Sequence, residues 1–259
     1  MDKYFLIAVL GFASFSCHVR ESQSLENSSE PPIPQSSNFE KDTEPKAGET
    51  NTIVESFSNN SSIGRPKRNK IQIDITERGG VDSAYRPNNV SIIKFYSIGP
   101  TKQWVLKQTL EIDDHALADS DPQIEDFNND GWKDVTFRSN TAARGSNEIR
   151  TLLTYDKIND VLIHVKNSED YPNLAYNKTL SCIDTWSVHG TSTTVFLRLE
   201  GDMLKEFTSV GTGANRAGTC CDLAVKVVDK AGKETVIRRK KITEDDIYTR
   251  YRTFNPPQP

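Results

Sequence analysis

The chain has 259 residues, 35% of them apolar and 26% charged, with a net charge of −4 and four cysteines. It is too polar to cross a membrane many times, and its near-balanced charge argues against a dedicated nucleic-acid binder. The composition is uneven along the chain, which points to one folded domain behind a polar lead.

The lead opens with Phe5 to Ala13, nine uncharged and mostly apolar residues, followed by Ser14, Phe15, Ser16 and Cys17. A transmembrane helix needs roughly 20 apolar residues, so this run has the length of an export signal, expected over residues 1–16. A lone cysteine just after such a run is where bacterial lipoprotein processing attaches lipid, although Ser14 and Phe15 depart from the usual lipobox. Cys17 is therefore the expected lipidation site, with ordinary signal cleavage near Ser16 as the alternative. Two or more acyl chains give stable anchoring, so the chain is expected in the bacterial cell envelope as an outer-membrane or periplasmic lipoprotein.

Between Glu21 and Gly64 there are ten Ser, five Asn, four Pro and seven Glu against seven scattered large apolar residues. Such a stretch buries too little apolar area to offset the entropy of ordering its backbone, and residues 17–66 read as a disordered tether. The tether is strongly acidic, which leaves the rest of the chain nearly neutral. Basic clusters at Arg65-Pro-Lys-Arg-Asn-Lys70 and Arg238-Arg-Lys-Lys241 read as a solvated linker end and a solvated strand face. Neither has aromatic residues interleaved to stack bases, so no nucleic-acid partner is expected.

From residue 67 to 256 the pattern becomes short alternating runs between turn residues. Ile71, Ile73 and Ile75 share one strand face by the period of two. Ten more strands are expected at 90–97, 104–112, 135–138, 149–155, 161–165, 180–186, 193–199, 204–210, 223–228 and 235–241. Gly79-Gly80, Asn88-Asn89, Asn159-Asp160, Gly201-Asp202 and Asp229 to Gly232 are the turns. Only Thr243–Tyr251 reads as helix, with Thr243 as cap and three acids in the first turn. The fold class is all-β: an antiparallel sandwich or propeller-like single domain.

The segment that carries chemistry is Asp126-Phe-Asn128-Asn-Asp130-Gly131-Trp-Lys-Asp134. Alternate residues of a tight loop present oxygens inward, Gly131 supplies the turn, and the carbonyl of Trp132 and the carboxylate of Asp134 complete a set suited to Ca²⁺. The position at which an EF-hand needs Glu is Phe137, so this is not an EF-hand. The expected metal ligands are Asp126, Asn128, Asp130, Trp132 and Asp134, and the ion is expected to be structural.

The block Pro122 to Val135, the run ending Leu152-Leu-Thr-Tyr155-Asp156 and the stretch Tyr171 to Leu180 together resemble exported calcium-binding β proteins related to the I-type periplasmic lysozyme inhibitors. The likeness spans roughly Val90 to Val210, and its calcium loop is also similar to integrin-type propeller repeats. It implies a β fold, an envelope location and a protein partner, since members act as immunity proteins against peptidoglycan hydrolases of rival bacteria. The Ser-Gly-x-x-Tyr inhibitory loop of other lysozyme inhibitors is absent.

With Cys17 lipidated, Cys182, Cys220 and Cys221 remain, and a disulfide from Cys182 to either Cys220 or Cys221 is expected, a vicinal bond being sterically awkward. Catalysis is not expected: Asp184, Ser187 and His189 lack a G-x-S-x-G elbow, and Gly211 to Arg216 lacks the third glycine of a dinucleotide loop. The leading expectation is a calcium-stabilised envelope binding protein that inhibits a cell-wall hydrolase, with a loop such as Val210–Thr219 entering the enzyme cleft. A surface adhesion or scaffold module is the alternative.

Overall fold

Ile71, Ile73 and Ile75 bury one face of a strand, as their spacing requires. They lie in β2 (Asn69–Val81), the second strand of an antiparallel meander with β1 (Thr52–Asn59), β3 (Pro87–Ile98) and β4 (Trp104–Asp114). The computed structural model describes residues 52–81, 87–114, 119–214 and 220–254. Two further antiparallel meanders follow. One contains β5 (Gln123–Glu125), β6 (Asp134–Ala142), β7 (Asn147–Asp156) and β8 (Val161–His164). The other contains β9 (Ala175–Asn177), β10 (Cys182–Val188), β11 (Ser192–Glu200), β12 (Met203–Gly213), β13 (Asp222–Val228) and β14 (Glu234–Lys241). The all-β, antiparallel class read from the sequence is the class observed.

The cores show how the sheets stack. Ile71, Ile73, Ile93 and Phe95 of the first sheet pack on Val135, Phe137, Leu153 and Tyr155 of the second. Leu152, on the opposite face of β7, packs with Ile183, Leu197 and Leu204 of the third sheet. The second sheet is therefore the middle layer, and residues 150–155 of β7 are buried without a break. A strand covered on both faces has no solvent side, so its alternation disappears. The outer face of the third sheet carries Phe196, Val210, Leu223 and Val225 and is covered by Ile242, Tyr251 and Phe254.

The tether expected over residues 17–66 ends earlier than its composition suggests. β1 pairs with β2 along its whole length, Phe57 packs on the first core, and Ile63 is fully buried. Its polar residues find partners in the protein: Ser56 Oγ donates to Asp74 at 2.6 Å, and Glu55 accepts the Ser120 N–H at 3.0 Å. Gly64 donates its N–H to the Lys133 carbonyl at 2.9 Å. Its φ is +54°, and a Cβ there would meet Asn69 Oδ1 at 2.8 Å, so both backbone and space demand glycine. The export signal at 1–16, Cys17 and the tether up to residue 51 lie outside the described residues.

A second difference concerns Thr243–Tyr251. Only a 3-10 turn at Glu244–Asp246 forms, capped by the reciprocal Thr243–Asp246 pair. The carbonyl of Ile247 accepts hydroxyls from Ser192 and Thr212, both at 2.7 Å, and Tyr251 N–H donates to Thr194 Oγ1 at 3.0 Å. The third sheet thus draws this segment flat across itself, taking backbone groups that a helix would have used internally.

Candidate metal centre

The loop Asp126–Asp134 is closed at its base by β5 and β6, where Glu125 pairs with Asp134. Its side-chain oxygens accept from its own backbone. Asp126 takes the N–H groups of Asp130 (3.1 Å) and Gly131 (2.9 Å), Asn128 takes that of Asp130 (3.1 Å), and Asp130 takes that of Trp132 (2.9 Å). These Asx-type bonds curl the chain and keep three oxygen-bearing side chains on the loop. Gly131 turns it with φ +88°, and a Cβ there would meet nothing, so the backbone angle alone selects glycine.

Two side chains dock the loop: Asn129, outside the expected ligand set, and Trp132, whose carbonyl rather than ring is the expected ligand. Asn129 donates to the Ser181 carbonyl at 3.1 Å and accepts from the Tyr176 hydroxyl. The Trp132 ring meets Tyr155 edge to face at 6.3 Å.

Asp134 is fully buried, and each of its oxygens accepts one backbone amide: Tyr155 N–H at 2.8 Å and Phe127 N–H at 2.8 Å. It ties the loop to β7. Burial pushes its carboxyl up to about 7; the two amides oppose this, and the charges of Asp130 and Asp126 add to it. Among the described residues no cationic side chain pairs with Asp126, Asp130 or Asp134, whereas neighbouring Glu125 is bridged to Lys133 (3.3 Å) and Lys178 (3.4 Å). In this arrangement no three His, Cys, Asp or Glu among the described residues converge as a metal-holding group. The donor chemistry, hard oxygens with uncompensated charge, suits a hard cation.

The cysteines are arranged differently from expectation. Cys220 and Cys221 form a vicinal pair, and Cys182 is a free, buried thiol. The strand register explains why Cys182 bonds to neither: it opens β10 next to the Ile183–Leu197 pair, whereas Cys221 precedes the Asp222–Gly213 pair at the other end of the sheet. At about 3.3 Å per residue the two lie on the order of 20 Å apart along the strands.

Asp184 and Ser187 lie three residues apart on β10 and so point to opposite faces. Asp184 is buried and held by Arg250 Nε at 3.0 Å and Asn177 Nδ2 at 2.6 Å. Of the segment expected to enter a partner, Val210–Gly213 is strand with Val210 fully buried, and residues 215–219 lie outside the described residues. In the first basic cluster Arg65 donates to the Lys157 carbonyl at 2.8 Å, and the second forms the end of β14, an edge strand.

No family model matches the chain, and no curated protein sequence matches it. A solved structure described as that of a Xanthomonas type IV secretion system related protein is similar with a TM-score of 0.41 and 10% identity. The match covers 73% of this chain and 98% of that one.

Proposed function

We propose that the chain is an envelope-anchored binding protein with one structural Ca²⁺ site, acting as an inhibitor or immunity protein of a cell-wall hydrolase. The observation that carries this reading is spatial. The three sequence stretches that resemble calcium-binding lysozyme-inhibitor relatives meet at one place: Asp134 accepts from Tyr155 N–H, and Asn129 accepts from the Tyr176 hydroxyl. A likeness scattered over 60 residues of sequence falls on one structural unit.

The side chains of Asp126, Asn128, Asp130 and Asp134 and the carbonyl of Trp132 hold the ion. Calcium there offsets the repulsion of three carboxylates and pins the loop to the two sheets it touches, with an affinity of about 10⁻⁴–10⁻³ M, common for extracellular sites. Lipidation at Cys17 anchors the protein to the membrane.

Calcium is expected to raise the melting temperature of the wild type and not that of Asp130→Ala; a calcium-insensitive wild-type melt overturns the site. For the partner, the purified protein is titrated into lysozymes and other peptidoglycan hydrolases acting on cell walls. Stoichiometric loss of lysis supports inhibition. Unchanged lysis across the panel overturns it in favour of an adhesive or scaffold role, and faster lysis overturns it in favour of a hydrolase.

A further inference from the structure

Exposed apolar side chains scattered singly over a surface are ordinary, but several gathered at one corner mark a contact. Trp104, Val105 and Leu106 follow one another at the start of β4, an edge strand, and all three are exposed. Alternation puts Val105 on one face of the sheet and Trp104 and Leu106 on the other, so apolar surface wraps this edge. The β7–β8 turn stands beside it. Val105 pairs with Ser97, whose hydroxyl donates to Asp160 at 2.6 Å, and Asp160 closes the turn that carries Ile158 at its tip. Ile158 is 85% exposed, the barest large apolar residue among the described ones.

The turn holds Ile158 outward without using its side chain. Asp156 Oδ1 accepts the Ile158 N–H at 2.8 Å, the Asp160 N–H donates to the Asp156 carbonyl at 2.8 Å, and Arg65 donates to the Lys157 carbonyl at 2.8 Å. A polar residue at 158 would serve these bonds equally well, and turns of this kind usually carry one.

Charge singles out the same corner. Lys157 adjoins Ile158, and Lys102 and Lys107 flank the apolar run of β4. Lys67 and Arg68 stand in the turn before β2, at the same end, where the Arg68 carbonyl accepts the Ile98 N–H at 2.9 Å. All five are exposed, and none has a carboxylate partner among the described residues. Asp156 and Asp160 are the acids of this corner. Asp126 and Asp130 belong to the β5–β6 connection, two strand spacings or about 10 Å across the middle sheet from the β7–β8 turn, which is about one Debye length in physiological salt.

A turn tip and a sheet edge protrude; they form no groove for a peptide. Apolar side chains ringed by lysine suit a flat surface that is anionic outside and apolar beneath, and tryptophan and lysine are side chains that settle at such an interface. We propose that this corner docks on an anionic phospholipid bilayer, with Ile158, Trp104 and Leu106 entering the headgroup layer and the five cations meeting lipid phosphates. The contact belongs to the folded domain, needs neither acylation of Cys17 nor calcium, and stands apart from the hydrolase reading.

The test uses the full chain with Cys17→Ser, which removes the acylation site, and Ile158→Trp as a reporter that keeps the tip apolar. Its emission, taken as the difference from the parent chain, is expected to shift to the blue and to be quenched by lipids brominated on their acyl chains when vesicles contain phosphatidylglycerol, and to stay unchanged with phosphatidylcholine alone. Adding Lys102→Glu and Lys157→Glu to the reporter, with its melting temperature unchanged, is expected to weaken the response at least about fivefold, as is about 1 M salt. No response to anionic vesicles overturns the proposal, and so does an equal response to phosphatidylcholine or an unaltered one in the folded glutamate variant. A blue shift that grows with protein concentration in the absence of lipid overturns it in favour of a second copy of the chain. A response to poly-glutamate and none to vesicles overturns it in favour of an acidic protein.

Discussion

Asp160 shows how one carboxylate joins two sheets. It sits in the turn between β7 and β8 with φ +57° and accepts from Ser97 Oγ (2.6 Å), Asn69 Nδ2 (3.0 Å) and the Tyr155 hydroxyl (2.8 Å). Burial by itself would raise its pKa, but these three donors and the nearby Arg65 outweigh burial and hold it below the usual carboxylate range. A depressed folded-state pKa contributes stability that is complete above the unfolded value, near 3.9, and is lost as pH falls through the folded one. Asp160→Asn is therefore expected to flatten the acid limb of the stability curve below about pH 4, measured by urea unfolding across pH. Asp160→Ala, which strands three donors, should cost about 1–3 kcal/mol at neutral pH. Cys182 gives a second prediction. Burial, reinforced by the charge of Asp184, pushes its thiol up to about 11, so iodoacetamide at pH 8 should leave Cys182 unmodified in the native protein and alkylate it in denaturant, as mapped by peptide mass. The tight loop that Asp126, Asn128 and Asp130 build was legible in the sequence because its bonds are local. Asp160 and Arg150 were not: the Asn69 partner of Asp160 lies 91 residues away, and the Asp121 partner of Arg150 lies 29 away.

Among the elements, the eleven strands read from the sequence all form, because each pairs with a sequence neighbour across a short connection. Three others escaped. β5 and β9 are three residues long, too short to display a period. β1 carries Ile53, Val54 and Phe57 among five polar residues with no period of two, and its pairing with β2 and the packing of Phe57 fix it as a strand. Ile63→Ala is expected to cost about 2–5 kcal/mol, the range for a fully buried aliphatic side chain, read as a lower urea midpoint with an unchanged slope. A tether residue would cost nothing. The C-terminal segment teaches the same lesson: its acids and cap are those of a helix start, but hydroxyls of β11 and β12 claim its backbone.

For the whole molecule, the middle sheet couples the two cores that lie on its faces. Leu153 belongs to the first core and Leu152, the next residue, to the second, so the two cores share one strand. Loss of either should loosen both. Leu152→Ala and Leu153→Ala are each expected to lower one common transition by about 2–5 kcal/mol rather than split off a separate early melt. Coincident curves by circular dichroism and tryptophan fluorescence would check this. The outer boundary of the third sheet has a different consequence. β14 ends the sheet with Arg238, Arg239, Lys240 and Lys241. An edge strand offers its unsatisfied backbone groups to any other strand that comes alongside, and its neighbours here would include other copies of the same protein. Two such edges meeting in register bring eight positive charges together. The basic cluster thus works as a guard against self-association, keeping a six-stranded sheet from growing into a polymer.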